Sequence, residues 1–567
     1  MMSASLLSVE KLSVALPMNR VMKPVVSELS FDVKASEILA IVGESGSGKS
    51  MTAKALMGLL PKGAETSGSA QFLGVNMLTR TDQEKQLIRG TGIGMIFQEP
   101  MSALNPVLTI GLQMTEALRV HGLANQSEAN RKAVEMLDRV GIPSPQTRLG
   151  QYPHEFSGGM RQRVMIAMTM LLKPDLIIAD EPTTALDVTV QAQILDLLTD
   201  LVEETNIGLL LITHDMGVVA ETADRVLVMK HGKGVEEAPV RELFANPKAA
   251  YTKALLAAVP RLDADIAGPQ ERADADAPIL EVRNLKKSFS KKNGFWRSRA
   301  TTRALNNVSL SVRQGETLAI VGESGSGKST LARAITRLLT VDSGNVMVNG
   351  QDFLSLKGDA LRGARSDIQM IFQDPYSSLD PRFRIGRAIG EPIRIHNKIG
   401  SSQTRQQVSA LLEQVGLSPD MAERYPHEFS GGQRQRIAIS RALACGPKIL
   451  VADEPTSALD VSIQAQVLDL LLRLKRELDL TMLFISHDLA VVGKISDRVA
   501  VMRGGQILEL GPTAQILHHP QHPYTIALLS AAPSPDPERS HKLRAELPLL
   551  EDAGPLQEFR PGHWVAT

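Results

Sequence analysis

The sequence predicts an α/β protein in which one domain is made twice, each copy with a mixed sheet core and an inserted α-helical subdomain. Three observations predict it. The same glycine-rich octapeptide occurs at residues 43–50 and 322–329. Each copy follows an unbroken apolar run, Ile38 to Val42 and Leu318 to Val321, and precedes a helix-compatible stretch, Met51 to Leu60 and Thr330 to Leu339. Such runs suit strands buried on both faces of a parallel sheet. Further motifs recur downstream at near-constant spacing, so the repeat is a whole domain and not a small stacked unit.

Gly43-Glu44-Ser45-Gly46-Ser47-Gly48-Lys49-Ser50 and Gly322-Glu323-Ser324-Gly325-Ser326-Gly327-Lys328-Ser329 have the composition and context of a P-loop, between strand and helix. Glycines let backbone N–H groups turn inward and approach a polyphosphate at a helix N-terminus, whose partial positive charge favours anions. Lys49 and Lys328 are expected to reach the β- and γ-phosphates, and the Ser50 and Ser329 hydroxyls to sit on Mg²⁺. A glycine-rich turn that binds nothing is opposed by two identical, correctly flanked copies.

The P-loops begin at 43 and 322, an offset of 279, and Phe97-Gln98-Glu99-Pro100 returns 275 residues on as Phe372-Gln373-Asp374-Pro375. Tyr152 to Gly159, Ala179 to Thr183 and His214-Asp215 return 273 residues on, at Tyr425 to Gly432, Ala452 to Thr456 and His487-Asp488. Small drifts in spacing mean short loop insertions between two complete domains, expected at 1–260 and 279–533. Residues 261–278, acidic and Ala/Asp-rich, read as a linker. Prolines discourage long helices in the tail, 534–567.

Leu176 to Ala179 and Ile449 to Ala452 read as central strands, each running into Asp-Glu. Leu209 to Ile212 and Met482 to Ile485 read as further buried strands that deliver His214 and His487 at the C-terminal edge, where open α/β sheets bind ligands. The stretch Glu128 to Val140, with spaced Val134, Leu137 and Val140, stands for the inserted helical subdomain. Asp180 and Asp453 are expected to hold Mg²⁺, and Glu181 and Glu454 to polarise the attacking water. A strand-end acidic pair is commonplace alone; two of them downstream of matched P-loops are not.

Composition narrows the field. Formal net charge is zero, which argues against a protein that lives on nucleic acid. The single cysteine, Cys445, excludes a disulfide framework, a multi-cysteine zinc site and a cysteine-ligated iron–sulfur cluster. With Ala442, Leu443 and Ala444 before it, Cys445 reads as a small buried hydrophobe. No apolar run approaches the ~20 residues of a spanning helix, and the start lacks a signal-peptide pattern. Membrane work is therefore expected to be done through partners.

Together the P-loop, the loops at Gln98 and Gln373, the Ser-Gly-Gly signature, the Asp-Glu strand, the Ala-Leu-Asp loop and the His resemble the nucleotide-binding domains of ABC transporters, twice, over residues 6 to 533. The resemblance implies an ATPase with ATP and Mg²⁺ in a head-to-tail sandwich, each ATP between one domain's P-loop and the other's signature. The first site would join Lys49, Ser50, Gln98, Asp180, Glu181 and His214 to Ser430, Gly431 and Gly432. The second would join Lys328, Ser329, Gln373, Asp453, Glu454 and His487 to Ser157, Gly158 and Gly159. The glutamates and histidines would be catalytic. Ser50, Gln98 and Asp180, with Ser329, Gln373 and Asp453, would hold Mg²⁺. Asp187 and Asp460 would connect the sites, and Phe289 would stack on adenine.

The segment His519-Pro520-Gln521-His522-Pro523-Tyr524-Thr525, echoed by Asn246-Pro247 and Tyr251-Thr252, resembles the C-terminal hallmark of oligopeptide and dipeptide importer ATPases. Gly158 to Arg163, Thr213 to Val219 and Gly562 to Ala566 resemble the fused glutathione-import type. This implies two integral-membrane permeases, a periplasmic binding protein that selects the peptide, and a place on the cytoplasmic face of the bacterial inner membrane. The peptide would not touch this subunit, and no nucleic acid is implied. A non-transport tandem ATPase acting on ribosomes or nucleic acid is the competing reading. Such relatives usually carry a long charged linker or zinc-binding cysteines, and here the linker is short and cysteine single. His518, His519 and His522 lack a carboxylate or cysteine at metal-ligand spacing.

The chain departs from the family in three places. Met160 stands where the signature usually has Gln or Glu. Leu16 falls where an aromatic often stacks on adenine, a place that Phe289 takes in the second domain. Some relatives bind an iron–sulfur cluster through C-terminal cysteines, absent here, so no cluster is expected. The basic loop Lys291 to Arg297, with Phe295 and Trp296, reads as an insertion with a solvated face before a lipid or permease contact.

Overall fold

The computed structural model describes residues 5–18, 21–184, 186–261, 277–291, 300–374, 378–397, 399–457, 459–538, 548 and 553–567. They fall into two compact units, residues 1–259 with 533–543 and residues 260–532 with 544–567. Most of the expected linker, the basic loop from 292 and much of the tail after 538 lie outside the described residues.

The first unit opens with β1 (Ser5–Met18) and β2 (Val21–Lys34), then β3 (Ile38–Val42), β4 (Glu65–Phe72), β5 (Val75–Asn76) and β6 (Ile93–Ile96). It continues with β7 (Leu176–Asp180), β8 (Gly208–Ile212), β9 (Arg225–Lys230) and β10 (Lys233–Pro239). An antiparallel sheet takes the order β2-β1-β4-β5, and the core sheet takes β10-β9-β3-β8-β7-β6. In the core sheet every pair is parallel except β9 with β10. Strands β3, β7 and β8 are buried at every position, as a sheet covered on both faces requires.

The P-loop helix runs Lys49–Met57, starting two residues before the sequence reading and stopping three short of it. Gly48, at φ 102, closes the loop directly against Lys49, and Gly58 ends the helix in a left-handed cap. Its counterpart is Lys328–Ile335, shortened likewise by left-handed Arg337 two residues on. The inserted subdomain packs helices Ile110–Val120 and Gln126–Arg139 against the signature helix Gly158–Met170. Asn125 caps the second of these by accepting from Glu128 N, which moves its start to Gln126. Ala129, Ala133 and Leu137, four apart, form its buried stripe, and Val134 is only half-buried.

The second unit repeats the plan. Its strands are β11 (Leu280–Lys291), β12 (Ala300–Val312), β13 (Thr317–Val321), β14 (Ser343–Val348), β15 (Gln351–Asp352) and β16 (Ile368–Ile371). They are followed by β17 (Ile449–Asp453), β18 (Thr481–Ile485), β19 (Arg498–Arg503), β20 (Gln506–Pro512), β21 (Leu556–Arg560) and β22 (His563–Ala566). The core sheet runs β16-β17-β18-β13-β19-β20-β22-β21. The last two strands were not expected. Pro561-Gly562, with Gly562 at φ 73, turns the chain between β-prone residues, and β22 then pairs with β20. His563 is 2% exposed and its Nε2 lies 2.8 Å from Oε1 of Glu509, itself fully buried.

Replacing His563 removes one buried partner of Glu509 and leaves the Gln521 and His522 N–H donors in place. His563→Ala is expected to cost about 1–3 kcal/mol and to open the C-terminal hairpin to protease. Denaturant unfolding with limited proteolysis measures both. An unchanged midpoint and an intact tail would contradict it.

Candidate functional site

Strand order builds each site. In the first unit β3, β8, β7 and β6 lie side by side, so whatever follows their C-terminal ends meets at one edge of the sheet. After β3 comes the P-loop, after β8 His214, at the end of β7 Asp180 and Glu181, and after β6 Gln98. In the second unit β13, β18, β17 and β16 bring Lys328, His487, Asp453, Glu454 and Gln373 to the same places.

The loop hugs the neighbouring strand. A Cβ on Gly43 would lie 2.2 Å from the carbonyl oxygen of Met229 on β9, and one on Gly322 would lie 2.0 Å from that of Met502 on β19. Only glycine fits there. Lys49 is buried, its Nζ donating to the carbonyls of Gly43 at 2.6 Å and Glu44 at 3.0 Å. Lys328 does the same to Gly322 at 2.7 Å and Glu323 at 2.9 Å. Ser50 Oγ donates to Asp180 Oδ1 at 2.9 Å, and Ser329 to Asp453 at 3.0 Å. A hydroxyl and a carboxylate joined beside a phosphate cradle are hard oxygen donors, the set that fits Mg²⁺. Burial pushes the Asp180 and Asp453 carboxyls above their usual range, against the pull of the serine hydrogen bonds.

Glu181 and Glu454 hold left-handed backbone, φ 49 and 48. Such strain costs about 1–3 kcal/mol and persists only where the surroundings enforce it. Here the amides donate across the sheet, Glu181 to Ile212 O at 2.8 Å and Glu454 to Ile485 O at 3.0 Å. Gln98 and Gln373, expected on Mg²⁺ through their amide oxygens, donate from Nε2 to the glutamates, to Glu181 Oε2 at 2.8 Å and Glu454 Oε2 at 2.7 Å. The histidine Nδ1 lies 3.4 Å from the carboxylate in both units, His214 at the other oxygen, Glu181 Oε1, and His487 at the same oxygen as Gln373, Glu454 Oε2. Burial pushes the Glu181 carboxyl up, but the His214 hydrogen bond and charge, then Thr184 and Lys49, outweigh it and bring it down to about 2. Glu454 is lowered by the same balance of burial against His487, and His487 is raised by Glu454 despite its own burial.

The sequence reading missed Thr184, whose Oγ1 donates to Glu181 Oε2 at 2.9 Å. Its counterpart Ser457 donates to the Glu454 carbonyl oxygen at 3.2 Å, so the two glutamates are held differently. The signal was present as a hydroxyl residue three positions beyond each glutamate. Asp215 and Asp488 were seen only as motif partners. Each caps a helix and accepts from the glutamine of the neighbouring one, Gln191 at 3.2 Å and Gln464 at 3.1 Å. Asp187 caps the helix Val188–Thr205 through Val190 N, and Asp460 stands at the start of Val461–Leu478. Leu16 pairs with Lys23 and Phe289 with Thr302, both two register steps past the residues nearest the P-loop, so they occupy equivalent places.

Ser157 and Ser430 cap the signature helices Gly158–Met170 and Gly431–Leu443. In the second unit Gln433 returns the bond, accepting from Ser430 N at 3.1 Å and closing a capping box. Met160 has no polar atom to do so and packs partly against the core. A Cβ on Gly159 would meet Val190 Cγ1 at 2.4 Å, and one on Gly432 would meet Ile463 Cγ2 at 2.4 Å. Close approach of two helices, and not φ, requires these glycines. His522 Nδ1 accepts from Tyr524 N at 3.0 Å, a capping role. Among the described residues no helix is long and apolar enough to cross a membrane, and none of the His, Cys, Asp and Glu groups suits a metal by itself.

The family profile described as ABC transporter matches residues 26–184 and 305–457, and the chain belongs to that family, with two ATP-binding ATPase domains. The profile described as oligopeptide/dipeptide transporter, C-terminal region, matches 235–291 and 508–558. The chain is 47% identical to the glutathione import ATP-binding protein GsiA of Shigella dysenteriae and 47% to that of Escherichia coli K12, each over 100% of this chain and 97% of the relative. It is 48% identical to GsiA of Salmonella typhimurium, with the same coverage. Among solved structures, the dimeric ATP-binding cassette MJ0796 bound to ADP and Pi is 30% identical, with 41% of this chain and 98% of that one covered and a TM-score of 0.38.

Met160→Gln is expected to complete the missing capping box and stabilise the first unit by about 0.5–1.5 kcal/mol. Gln433→Met should lose a similar amount in the second. Denaturant midpoints of the two variants measure this, and changes of the same sign would contradict it.

Proposed function

We propose that this protein is the ATP-hydrolysing motor of an ABC importer that takes up small peptides across a bacterial inner membrane, with glutathione the foremost candidate cargo. One observation carries the motor reading. Both units assemble the same buried Lys, Ser–Asp pair and Gln–Glu–His cluster, so neither is a degenerate copy. The cargo class rests on the C-terminal region profile and on what the relatives' names say they import.

In this reading Lys49 and Lys328 each meet the β- and γ-phosphates of an ATP, and Ser157, Gly158 and Gly159, with Ser430, Gly431 and Gly432, are signature residues that bind nucleotide as well. Ser50 and Asp180, with Gln98, would hold Mg²⁺ in one site, and Ser329 and Asp453, with Gln373, in the other. The ion neutralises charge on the phosphates. Glu181 and Glu454 orient the attacking water, and His214 and His487 hold those carboxylates in place. The signature brings a second anion cradle to the γ-phosphate, so ATP closes the pair and hydrolysis releases it. Two integral-membrane permeases dock beside Gln98 and Gln373, at the inner-membrane face. Exposed Phe97 and Met101 support this, as does a cleft of about 230 Å³ lined by Met370, Phe372, Pro392 and Arg441. A periplasmic binding protein selects the peptide, which never touches this subunit.

The sites are unequal in affinity and equal in competence. Phe289, 45% exposed, offers a stacking face for adenine that Leu16 does not, worth about 0.5–1.5 kcal/mol. Removing a catalytic carboxylate costs far more, about 10²–10⁴ in rate. With the sites coupled through Asp187 and Asp460, Glu181→Gln or Glu454→Gln alone is expected to cut steady-state turnover of the assembled transporter well below half while ATP binding persists. A variant with near-full activity would show its site to be structural. Affinity purification from membranes is expected to recover the permease pair; sedimentation with ribosomes and no permease would overturn the importer reading.

A further inference from the structure

We propose that Tyr524 is a positioning residue for the second ATP site, bracing the P-loop from the C-terminal region through a hydrogen bond to its backbone. This rests on the reading that Gly322–Ser329 holds the phosphates of ATP.

Tyr524 opens the helix Pro523–Ala531 and is fully buried. Its hydroxyl accepts from the backbone N–H of Glu323 at 3.1 Å. Glu323 is the peptide on which the loop turns. Its carbonyl accepts from Ser326 N at 3.1 Å and from Lys328 Nζ at 2.9 Å. The lysine that reaches for phosphate and the turn that aims the loop's N–H groups thus share one peptide, and Tyr524 holds the other end of that residue. A glycine-rich loop has little stiffness of its own, so a cradle for phosphate must be held open by its neighbours.

The brace is itself anchored. Glu509, fully buried, accepts from Gln521 N at 2.8 Å and His522 N at 3.1 Å, and its Oε1 lies 2.8 Å from His563 Nε2 in β22. His522 Nδ1 accepts from Tyr524 N, fixing the first turn of the helix. The Arg503 guanidinium covers the Tyr524 ring at 4.6 Å and donates to Pro548 O at 2.9 Å. The hydroxyl therefore arrives on a rigid mount made of the His-Pro-Tyr segment, β20 and the C-terminal hairpin.

The first unit carries a looser copy. Tyr251 is only half-buried, and its hydroxyl accepts from Glu44 N at 3.4 Å under Lys230, 4.3 Å from the ring. Glu236 still accepts from Lys248 N and Ala249 N, but Ala249 has no side chain to cap the helix Ala250–Ala258. Loss of the hydroxyl should matter more at Tyr524 than at Tyr251.

The test is titration of a fluorescent ATP analogue with Mg²⁺ into the full-length chain. Lys49→Ala silences the first site, and Tyr524→Phe is added to it. The hydrogen bond acts on phosphate binding, so Kd at the remaining site is expected to rise about 3–10-fold, the size of one ordinary hydrogen bond. Stoichiometry should stay put, and the nucleotide-free unfolding midpoint should fall by no more than one lost hydrogen bond accounts for. The mirror pair, Lys328→Ala with and without Tyr251→Phe, should show a smaller rise. An unchanged Kd, or a lower midpoint and fewer competent molecules at the same Kd, would overturn the proposal and leave Tyr524 a packing residue. Should Lys49→Ala chains bind no nucleotide even with Tyr524 intact, the ATP-site reading fails first and the proposal with it.

Discussion

Everything at these sites depends on four parallel strands lying side by side in one register. β3, β8, β7 and β6 are apolar enough to be buried on both faces, and Asp180 at the end of β7 is the one polar residue of the site within them. What the sheet supplies is position. Ile41 lies opposite Ile212, and Asp180 lies opposite that same Ile212, so P-loop, histidine and acidic pair leave the sheet at one level. A slip of one residue in β8 would turn its side chains to the opposite face and displace His214 from Glu181. The second unit repeats the register with Ile320, Ile485 and Asp453.

Against that fixed edge, the glutamates are the tense element. Each sits in left-handed backbone, largely buried, and is kept ionised by a histidine and a glutamine amide together. Gln98 and Gln373 are exposed and reach the carboxylate from beyond β6 and β16, where the proposed permease groove lies. A side chain that touches both the carboxylate and the proposed docking surface would be a short path between them. In the first unit Thr184 adds a further bond to the carboxylate, whereas Ser457 of the second unit donates to the Glu454 backbone carbonyl.

Much of this was legible in the sequence because the chemistry is carried by contiguous words. The P-loop, the Asp-Glu strand and the histidine each follow an apolar run of five or so residues, so element and role could be read together. The helix bounds were off because left-handed Gly58 and Arg337, not hydrophobicity, end those helices. The C-terminal hairpin was hidden behind its prolines, although Pro561-Gly562 is itself a turn signal. What could not be read were contacts between residues far apart, Glu509 under His563 and Tyr524 on Glu323, whereas Thr184 on Glu181 is a local contact, three residues on, whose hydroxyl the sequence already offered. Met160 was noticed as a departure, but its consequence, an open capping box, needed the geometry of Ser430 and Gln433 beside it.

The most direct test of two complete sites is the number of ATP molecules bound per chain. Equilibrium dialysis with Mg²⁺ on a chain carrying both Glu181→Gln and Glu454→Gln, which hydrolyses too slowly to confuse the count, supplies it. Two ATP per chain are expected, falling to one when Lys49→Ala or Lys328→Ala is added. One ATP in the chain with both lysines intact, or two in the chain lacking either lysine, would contradict it.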